Sequence, residues 1–391
     1  MAKVKDIAMQ IRGVSYHPED LHDNLDEDSV VLLRANNIKD GKLILDDVVY
    51  VSKSKVAEQQ YLQTGDILIC ASSGSKELVG KAAFVDSVKN PMTFGAFCKV
   101  VRPQPEYSEY LGHYFNSPVY RRKISALSAG ANINNIKNEH IDNLDIQLVD
   151  EKERREIITI LNELNMLISL RKQQLFKLDE LVKARFVEMF GDAKLNPNNL
   201  PCCSLSEYIV FLTSGSRGWS QYFTDSGEYF ITIKNVKNCK ITLQDVQCVT
   251  PPDNAEAKRT RVQENDLLIS ITADLGRTGI VTKKIAEHGA YINQHLTCIR
   301  LKQDKLNPLY VAYYMESDAG KEQFIAKNQS AVKAGLNFNA INSLKLMVPL
   351  LALQNQFATF VARIDQQKQT VQQSLEKLEL MKKALMQEYF G

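Results

Sequence analysis

Three pairs of polar loops carry the residue types that bind nucleic acid. Ser72-Ser73-Gly74-Ser75-Lys76 has a counterpart in Thr272-Ala273-Asp274-Leu275-Gly276-Arg277. Arg34-Ala35-Asn36-Asn37-Ile38-Lys39 is matched by Ile233-Lys234-Asn235-Val236-Lys237, and Arg12-Gly13-Val14-Ser15-Tyr16 by Ser214-Gly215-Ser216-Arg217-Gly218-Trp219. Arg and Lys donate to phosphates and to guanine edges, Asn pairs bidentately with adenine, and Ser and Thr reach several bases. The candidate contacts are therefore Arg12, Arg34, Asn36, Lys39, Ser73, Ser75, Lys76, Arg217, Lys234, Lys237, Thr272 and Arg277. All these types also fill solvated turns, and for any single residue that is the commoner role. Lys39 and Lys237 stand out because both copies keep a charge there. Trp219, the only tryptophan, is assigned to the core in preference to a stacking role.

Motifs for catalysis are missing. An amino-methyltransferase needs an N/D-P-P-Y/F loop around its target base, and neither Asn196-Pro197-Asn198-Asn199 nor Pro251-Pro252-Asp253 fits. No G-x-G-x-x-G follows a strand, so there is no fingerprint for an adenosyl or dinucleotide cofactor. The stretch from Gly74 to Ala82 has five residues between its glycines where a phosphate-binding P-loop has four, and Ala82 stands where Ser or Thr would hold magnesium. Neither G-x-S-x-G nor H-E-x-x-H is present. Seven cysteines contain no C-x-x-C and the six histidines are dispersed, which predicts reduced thiols in a cytoplasm and no metal site. The chain reads as non-catalytic, with no cofactor of its own.

The elements that must position these loops occur twice. Asn37-Ile38-Lys39-Asp40-Gly41-Lys42-Leu43 returns as Asn235-Val236-Lys237-Asn238-Cys239-Lys240-Ile241. Gly65-Asp66-Ile67-Leu68-Ile69 returns as Asn265-Asp266-Leu267-Leu268-Ile269, Tyr110 and Tyr114 as Tyr310 and Tyr314, Asn132-Ile133-Asn134 as Asn337-Phe338-Asn339, and Phe190-Gly191 as Phe390-Gly391. The period of about 200 residues is far beyond the 20–50 of a solenoid. It means two copies of a domain-sized module, hence an internal pseudo-twofold repeat.

Each half has two parts. Residues 1–148 and 193–349 alternate short β-rich runs with turns, for example Ser29–Ala35, Gly65–Ala71, Tyr229–Ile233 and Asp266–Ile271, with short helices over Glu109–Asn116 and Pro308–Glu316. Residues 151–190 hold no Gly or Pro and carry apolar residues at Ile157, Ile160, Leu161, Leu164, Leu167, Ile168, Leu175, Leu178, Leu181 and Val182. From Gln354 to Phe390 a similar stripe runs through Phe357, Phe360, Val361, Ile364, Val371, Leu375, Leu378, Met381 and Leu385. Such helices are about 60 Å long and need a partner along their length, so they are expected to form an antiparallel coiled coil. With eight Lys/Arg and seven Asp/Glu over 151–190, the first helix suits spacing and docking better than phosphate binding. The fold class is α+β: two mixed α/β domains, residues 1–148 and 193–349, and two long helices, residues 149–192 and 350–391. The Asn-rich elbows at Asn132–Ile136 and Asn337–Ile341 read as structural junctions.

Composition agrees with a globular chain of two or three domains. Hydrophobic residues make up 44%, charged residues 24%, and the net charge is +2, so any nucleic-acid surface must come from local clustering. The apolar stretch Leu346–Leu353 is too short for a membrane span, and the amino terminus has no signal-like apolar core.

The globular–helix–globular–helix order, the Asn-x-Lys-x-Gly-Lys-Leu block and the Gly-Asp-Ile-Leu block resemble the DNA-specificity subunit of type I restriction–modification systems. The stretch Val348-Pro349-Leu350-Leu351-Ala352-Leu353-Gln354 is similar to that family's proline-containing approach to its second helix, whereas Ile146-Gln147-Leu148-Val149-Asp150 lacks the proline. The resemblance implies two target-recognition domains, each reading half of a bipartite, asymmetric site in double-stranded DNA. It also implies a helical ruler that docks two methyltransferase subunits, which would carry S-adenosylmethionine and methylate adenine, and it allows a further restriction and translocase subunit. A coiled-coil scaffold or adaptor with two protein-binding domains is the alternative from another class.

Overall fold

The computed structural model describes residues 1–75, 77–128, 135–328 and 335–391. The sequence repeat is a repeat of topology. The chain divides into two compact units, Met1–Gln173 with Gln372–Gly391, and Gln174–Val371.

In the first unit, one sheet has the order Ala8–Arg12, Cys98–Pro103, Ile67–Cys70, Ala82–Phe84, with every neighbour antiparallel. The second unit repeats it as Ile209–Ser214, Leu296–Leu301, Leu267–Ser270, Thr278–Ile280. A second sheet in each unit contains one parallel pair, Met92–Phe94 beside Ser29–Leu33 and Ala290–Ile292 beside Glu228–Ile231. Short pairs tie the start of each globular part to its end: Ala2–Lys3 with Asp145–Ile146, and Cys202–Ser204 with Lys345–Met347.

The repeated Gly-Asp-Ile-Leu block now has a physical reason. Ile67–Cys70 and Leu267–Ser270 are buried along their whole length, which is why they read as unbroken apolar runs and not as alternations. The Asp before each strand is buried and holds an arginine of the neighbouring strand by two bonds. Arg102 donates to Asp66 at 2.8 and 2.8 Å, and Arg300 to Asp266 at 2.8 and 2.8 Å. The same carboxylates accept the backbone N–H of Gln63 and Gln263. Each arginine thus pins its strand to the turn that leads into the next.

The expected short helices form at Ser108–Phe115 and Pro308–Glu316. Each is followed by another, Pro118–Ser128 and Asp318–Ala326, that periodicity did not single out. All seven cysteines are free thiols. Among the described residues no helix is long and apolar enough to cross a membrane, and no group of His, Cys, Asp and Glu is placed to hold a metal.

The two long helices are α1 (Glu151–Phe190) and α2 (Leu351–Phe390). Without a preceding proline, α1 starts on Asp150, whose Oδ1 accepts the Glu153 N–H at 2.9 Å. It stops at Gly191, whose φ of +83° a β-carbon would strain. The second helix begins three residues before the apolar stripe, at Leu351. Gln354 is buried there, accepting from Asn307 N–H and donating to the Pro349 carbonyl, both at 2.8 Å.

The helices run antiparallel. In the first unit Ile157 and Leu161, near the start of α1, share a core with Met386 and Phe390, near the end of α2. In the second, Val182, Phe186 and Phe190 share a core with Phe357, Val361 and Ile364. Lys172 pairs with Glu379 in one unit and Lys368 with Asp179 in the other. The seam is narrower than the apolar stripe. Ile160, Leu167, Leu181 and Met381 face solvent, because at 3.5 residues per repeat they fall beside the seam and not on it. Positions 368 and 382, which do fall on it, are lysines.

His113 lies in the core of the first unit, 8% exposed, with Nε2 at 2.9 Å from Asn162 Oδ1. Burial pulls its pKa down to about 4 from an ordinary 6.5. The unfolded chain therefore takes up the proton before the folded one does. Stability is complete above pH 6.5 and falls by up to ~3 kcal/mol as the pH drops to 4. His113→Gln is expected to flatten this part of the curve of unfolding free energy against pH. An unchanged slope between pH 6.5 and 4 would refute the assignment.

Candidate nucleic-acid interface

The Asn-x-Lys blocks form two-residue hairpins. Ile38–Lys39 pairs with Lys42–Leu43, and Val236–Lys237 with Lys240–Ile241. Asp40 and Gly41 turn with φ of 50° and 78°, and Asn238 and Cys239 with 54° and 60°, the geometry of a tight hairpin turn. Each hairpin therefore sets two lysines side by side across the ladder. The leading Asn is the anchor. Asn37, 1% exposed, accepts from Arg34 N–H and donates to the carbonyls of Ile44 and Asp47, all at 2.8 Å. Asn235 accepts from Thr232 N–H at 3.0 Å and donates to Thr242. The repeated asparagine holds the loop so that the exposed Lys39 and Lys237 project from it.

Five of the candidate cations are exposed and have no polar side-chain partner among the described residues: Arg12, Lys39, Arg217, Lys234 and Lys237. Arg12 sits at the end of its strand, directly across from Lys99. This second cation was invisible to loop reasoning because it lies on a strand. Arg34 and Asn36 converge on Asp47, at 3.2 and 2.7 Å. Arg277 is paired with Asp274, and Thr272 Oγ1 lies 2.7 Å from His295 Nδ1. Ser73 accepts the N–H of Ser75 at 3.2 Å, a local turn bond, and Ser75 is exposed. Lys76, Asn132, Ile133 and Asn134 lie outside the described residues. In the second copy Asn337 Oδ1 accepts the Ala340 N–H at 2.8 Å, so that elbow caps a short helix.

The loops begin at a close backbone approach. A β-carbon on Gly13 would stand 2.1 Å from the Gly95 carbonyl oxygen, and one on Gly215 2.1 Å from that of Asn293. In the second unit Arg259 braces the loop that follows, donating to Thr213, to the Ser214 carbonyl and to Ser216 Oγ. No spacing marks Arg259 in the sequence, because it arrives from a helix about 45 residues away. Trp219 is 4% exposed, stacked on Phe230 at 5.3 Å and packed against Tyr291, which is the core role expected of it.

The arrangement thus presents, on two topologically equal scaffolds, loops that carry exposed cations and amide or hydroxyl side chains. It offers hydrogen-bond donors of the kind that suit phosphates and base edges.

Comparison with known proteins matches this repeat. The family described as type I restriction modification DNA specificity domain matches the chain twice, over residues 14–180 and 218–380. The EcoKI type I restriction enzyme specificity subunit of Escherichia coli K12 is 31% identical over 383 residues, covering 94% of this chain and 81% of that protein. The StySPI specificity subunit of Salmonella potsdam is 29% identical, covering 93% and 81%. A solved chain from a study of complex assembly and conformational transition in the type I R-M system superposes with a TM-score of 0.58 at 16% identity, covering 99% of this chain and 96% of its own.

Proposed function

The chain belongs to the family of type I restriction–modification DNA-specificity subunits, and from that premise we propose how its two units divide the work. The protein is a DNA-recognition subunit of a type I restriction–modification complex. Residues 1–148 form one target-recognition domain and residues 193–349 the other, each reading one half of a bipartite, asymmetric site. The helical segments 149–192 and 350–391 fix the separation of the half-sites and dock the other subunits: two methyltransferase subunits and, in a restricting complex, an endonuclease and translocase. Chemistry belongs to those subunits, in the cytoplasm where the chromosome lies. The observation that carries this reading is that one strand order, one buried Asp–Arg pair and one lysine-tipped hairpin occur in both units.

Within each domain, Arg12, Lys39, Arg217, Lys234 and Lys237 are assigned to phosphates, since no polar side chain among the described residues competes for them. Arg34, Asn36, Ser73, Ser75, Lys76, Thr272 and Arg277 are assigned to base edges and flanking phosphates. Asp47 and Asp274 then act as discriminators, giving up their partners to the right DNA. A good bidentate contact is worth about 1–3 kcal/mol against a wrong base, and the phosphate part of the affinity falls with salt.

The test is an exchange of domains. Residues 1–148 are replaced by the corresponding part of a relative with different specificity, the chimera is expressed with methyltransferase subunits, and methylated adenines are mapped across the genome. One half-site is expected to change while the other half-site and the spacer stay the same. A change in both half-sites would argue against independent readers.

A further inference from the structure

The two units share a fold but differ where the globular part meets the helix pair. In the second unit this junction carries large apolar side chains. Val182, Phe186 and Phe357 are buried together, Tyr313 packs edge-on against Phe357 at 5.1 Å, and Lys240 of the hairpin pairs with Asp365. Glu316 adds a carboxylate that accepts the backbone N–H groups of Cys239 and Thr278, at 3.0 and 2.9 Å.

The first unit replaces these residues one by one. About 200 positions apart in the repeat, Val182 becomes Lys382, Phe186 becomes Met386, Tyr313 becomes His113, Asp365 becomes Asn165 and Glu316 becomes Asn116. Two carboxylates have become amides, and a buried valine has become a lysine at a seam position. Here the first unit holds a cleft of about 1390 Å³, walled by the hairpin, by the helix Ser108–Phe115 and by α1 and α2, with Lys42, Lys172, Lys382, Asn116, Asn165 and Ser169 on its surface.

Five cations (Lys5, Lys42, Arg102, Lys172 and Lys382) and four carboxylates (Asp40, Asp66, Asp86 and Glu109) line this cleft. Lys382 is partly buried and has no hydrogen bond or ion pair among the described residues. The groups near enough to act on it are the ammoniums of Lys172 and Lys42 and the carboxylate of Glu379. Glu379 is already paired with Lys172 at 3.1 Å. Of the other carboxylates on the wall, Asp66 is held by Arg102 and Glu109 accepts from Asn162, while Asp40 and Asp86 are not among the charges acting on Lys382. Desolvation and the neighbouring ammoniums lower the pKa of Lys382. A seam lysine of this kind is costly unless an anion meets it. The same wall supplies amide and hydroxyl donors, the groups that complete the coordination of phosphate oxygens.

We propose that this cleft of the first unit is a binding site for a phosphate-bearing ligand held by Lys42, Lys172 and Lys382. The phosphate comes either from a free small molecule or from a nucleic-acid backbone. The site is additional to the base-reading loops, so its failure would leave the recognition reading untouched.

The second copy supplies the test substitutions. Lys382→Val and Asn165→Asp each install the residue that the other unit carries in the same setting, so both are expected to fold. Inorganic pyrophosphate is titrated into the full chain by calorimetry. The wild type is expected to bind it, and each variant to bind about tenfold or more weakly, the loss of a charge-assisted bond. A duplex oligonucleotide is then added to the pyrophosphate-loaded wild type. Release of pyrophosphate identifies the backbone as the source, and retention identifies a free ligand; either result upholds the site. No binding by the wild type, or equal binding by the wild type and both variants, overturns it. A higher melting temperature of Lys382→Val with unchanged pyrophosphate affinity would make the lysine a register device alone, and would also overturn the proposal.

Discussion

Arg300→Met is expected to lower the unfolding free energy of the second unit by about 3–5 kcal/mol, because it strands a buried carboxylate. Asp266 is fully buried, and its two oxygens take the bidentate guanidinium, the Gln263 N–H and the Cys298 thiol. Water cannot replace the lost partner at that depth. The double variant Asp266→Asn with Arg300→Met is expected to recover most of the loss, since no charge remains and the amide oxygen still accepts from Gln263. Urea unfolding of the three proteins measures both statements. A single variant within 1 kcal/mol of wild type would show that the pair is ornamental. The equivalent change at Arg102 should behave alike in the first unit, where the partner Asp66 is 1% exposed.

A seven-residue insertion in each long helix is expected to move the half-sites apart while leaving their sequences unchanged. Seven residues keep the seam in register and add about 10 Å of helix. At 3.4 Å per base pair this is about three more base pairs of spacer. Insertion must be made in both helices, since the antiparallel packing matches the start of α1 to the end of α2 within one unit and the reverse within the other. Methylated adenines mapped in cells carrying the lengthened subunit with its methyltransferase partners give the spacer directly. An unaltered spacer with intact methylation would remove the ruler from the proposed mechanism.

The periodic and the repeated parts of this protein were legible without coordinates. The apolar stripe from Ile157 to Val182 and the Phe190-Gly191 ending gave α1 its place and its stop, because helix periodicity and a left-handed glycine are local effects. The block repeat predicted two like domains, and two identical strand orders follow. Legibility weakened where a residue's role depends on what it meets. Asn37 and Asn235 appeared among polar loop residues, yet they are buried braces whose partners lie 3 to 10 positions away. Met381 was counted in the apolar stripe, yet it faces solvent and the next residue, Lys382, takes the seam position. The helix partner decides this, because a shift of one residue turns a side chain through about 100°.

By itself, the sequence determined the duplication, the helical spans, the buried strands and the absence of recognisable catalytic motifs, all of which rest on local propensity and periodicity. Tertiary structure decided which of the eleven described candidate side chains are already engaged by Asp47, Asp274 or His295 and which cations have no polar side-chain partner among the described residues. It also decided that an Asp and an Arg about 35 residues apart form the anchor of each unit. Finally, it gathered Lys42, Lys172 and Lys382 from distant parts of the chain around one cleft. Burial and charge pairing are properties of residues brought together from distant parts of the chain, and no local pattern records who the neighbour will be.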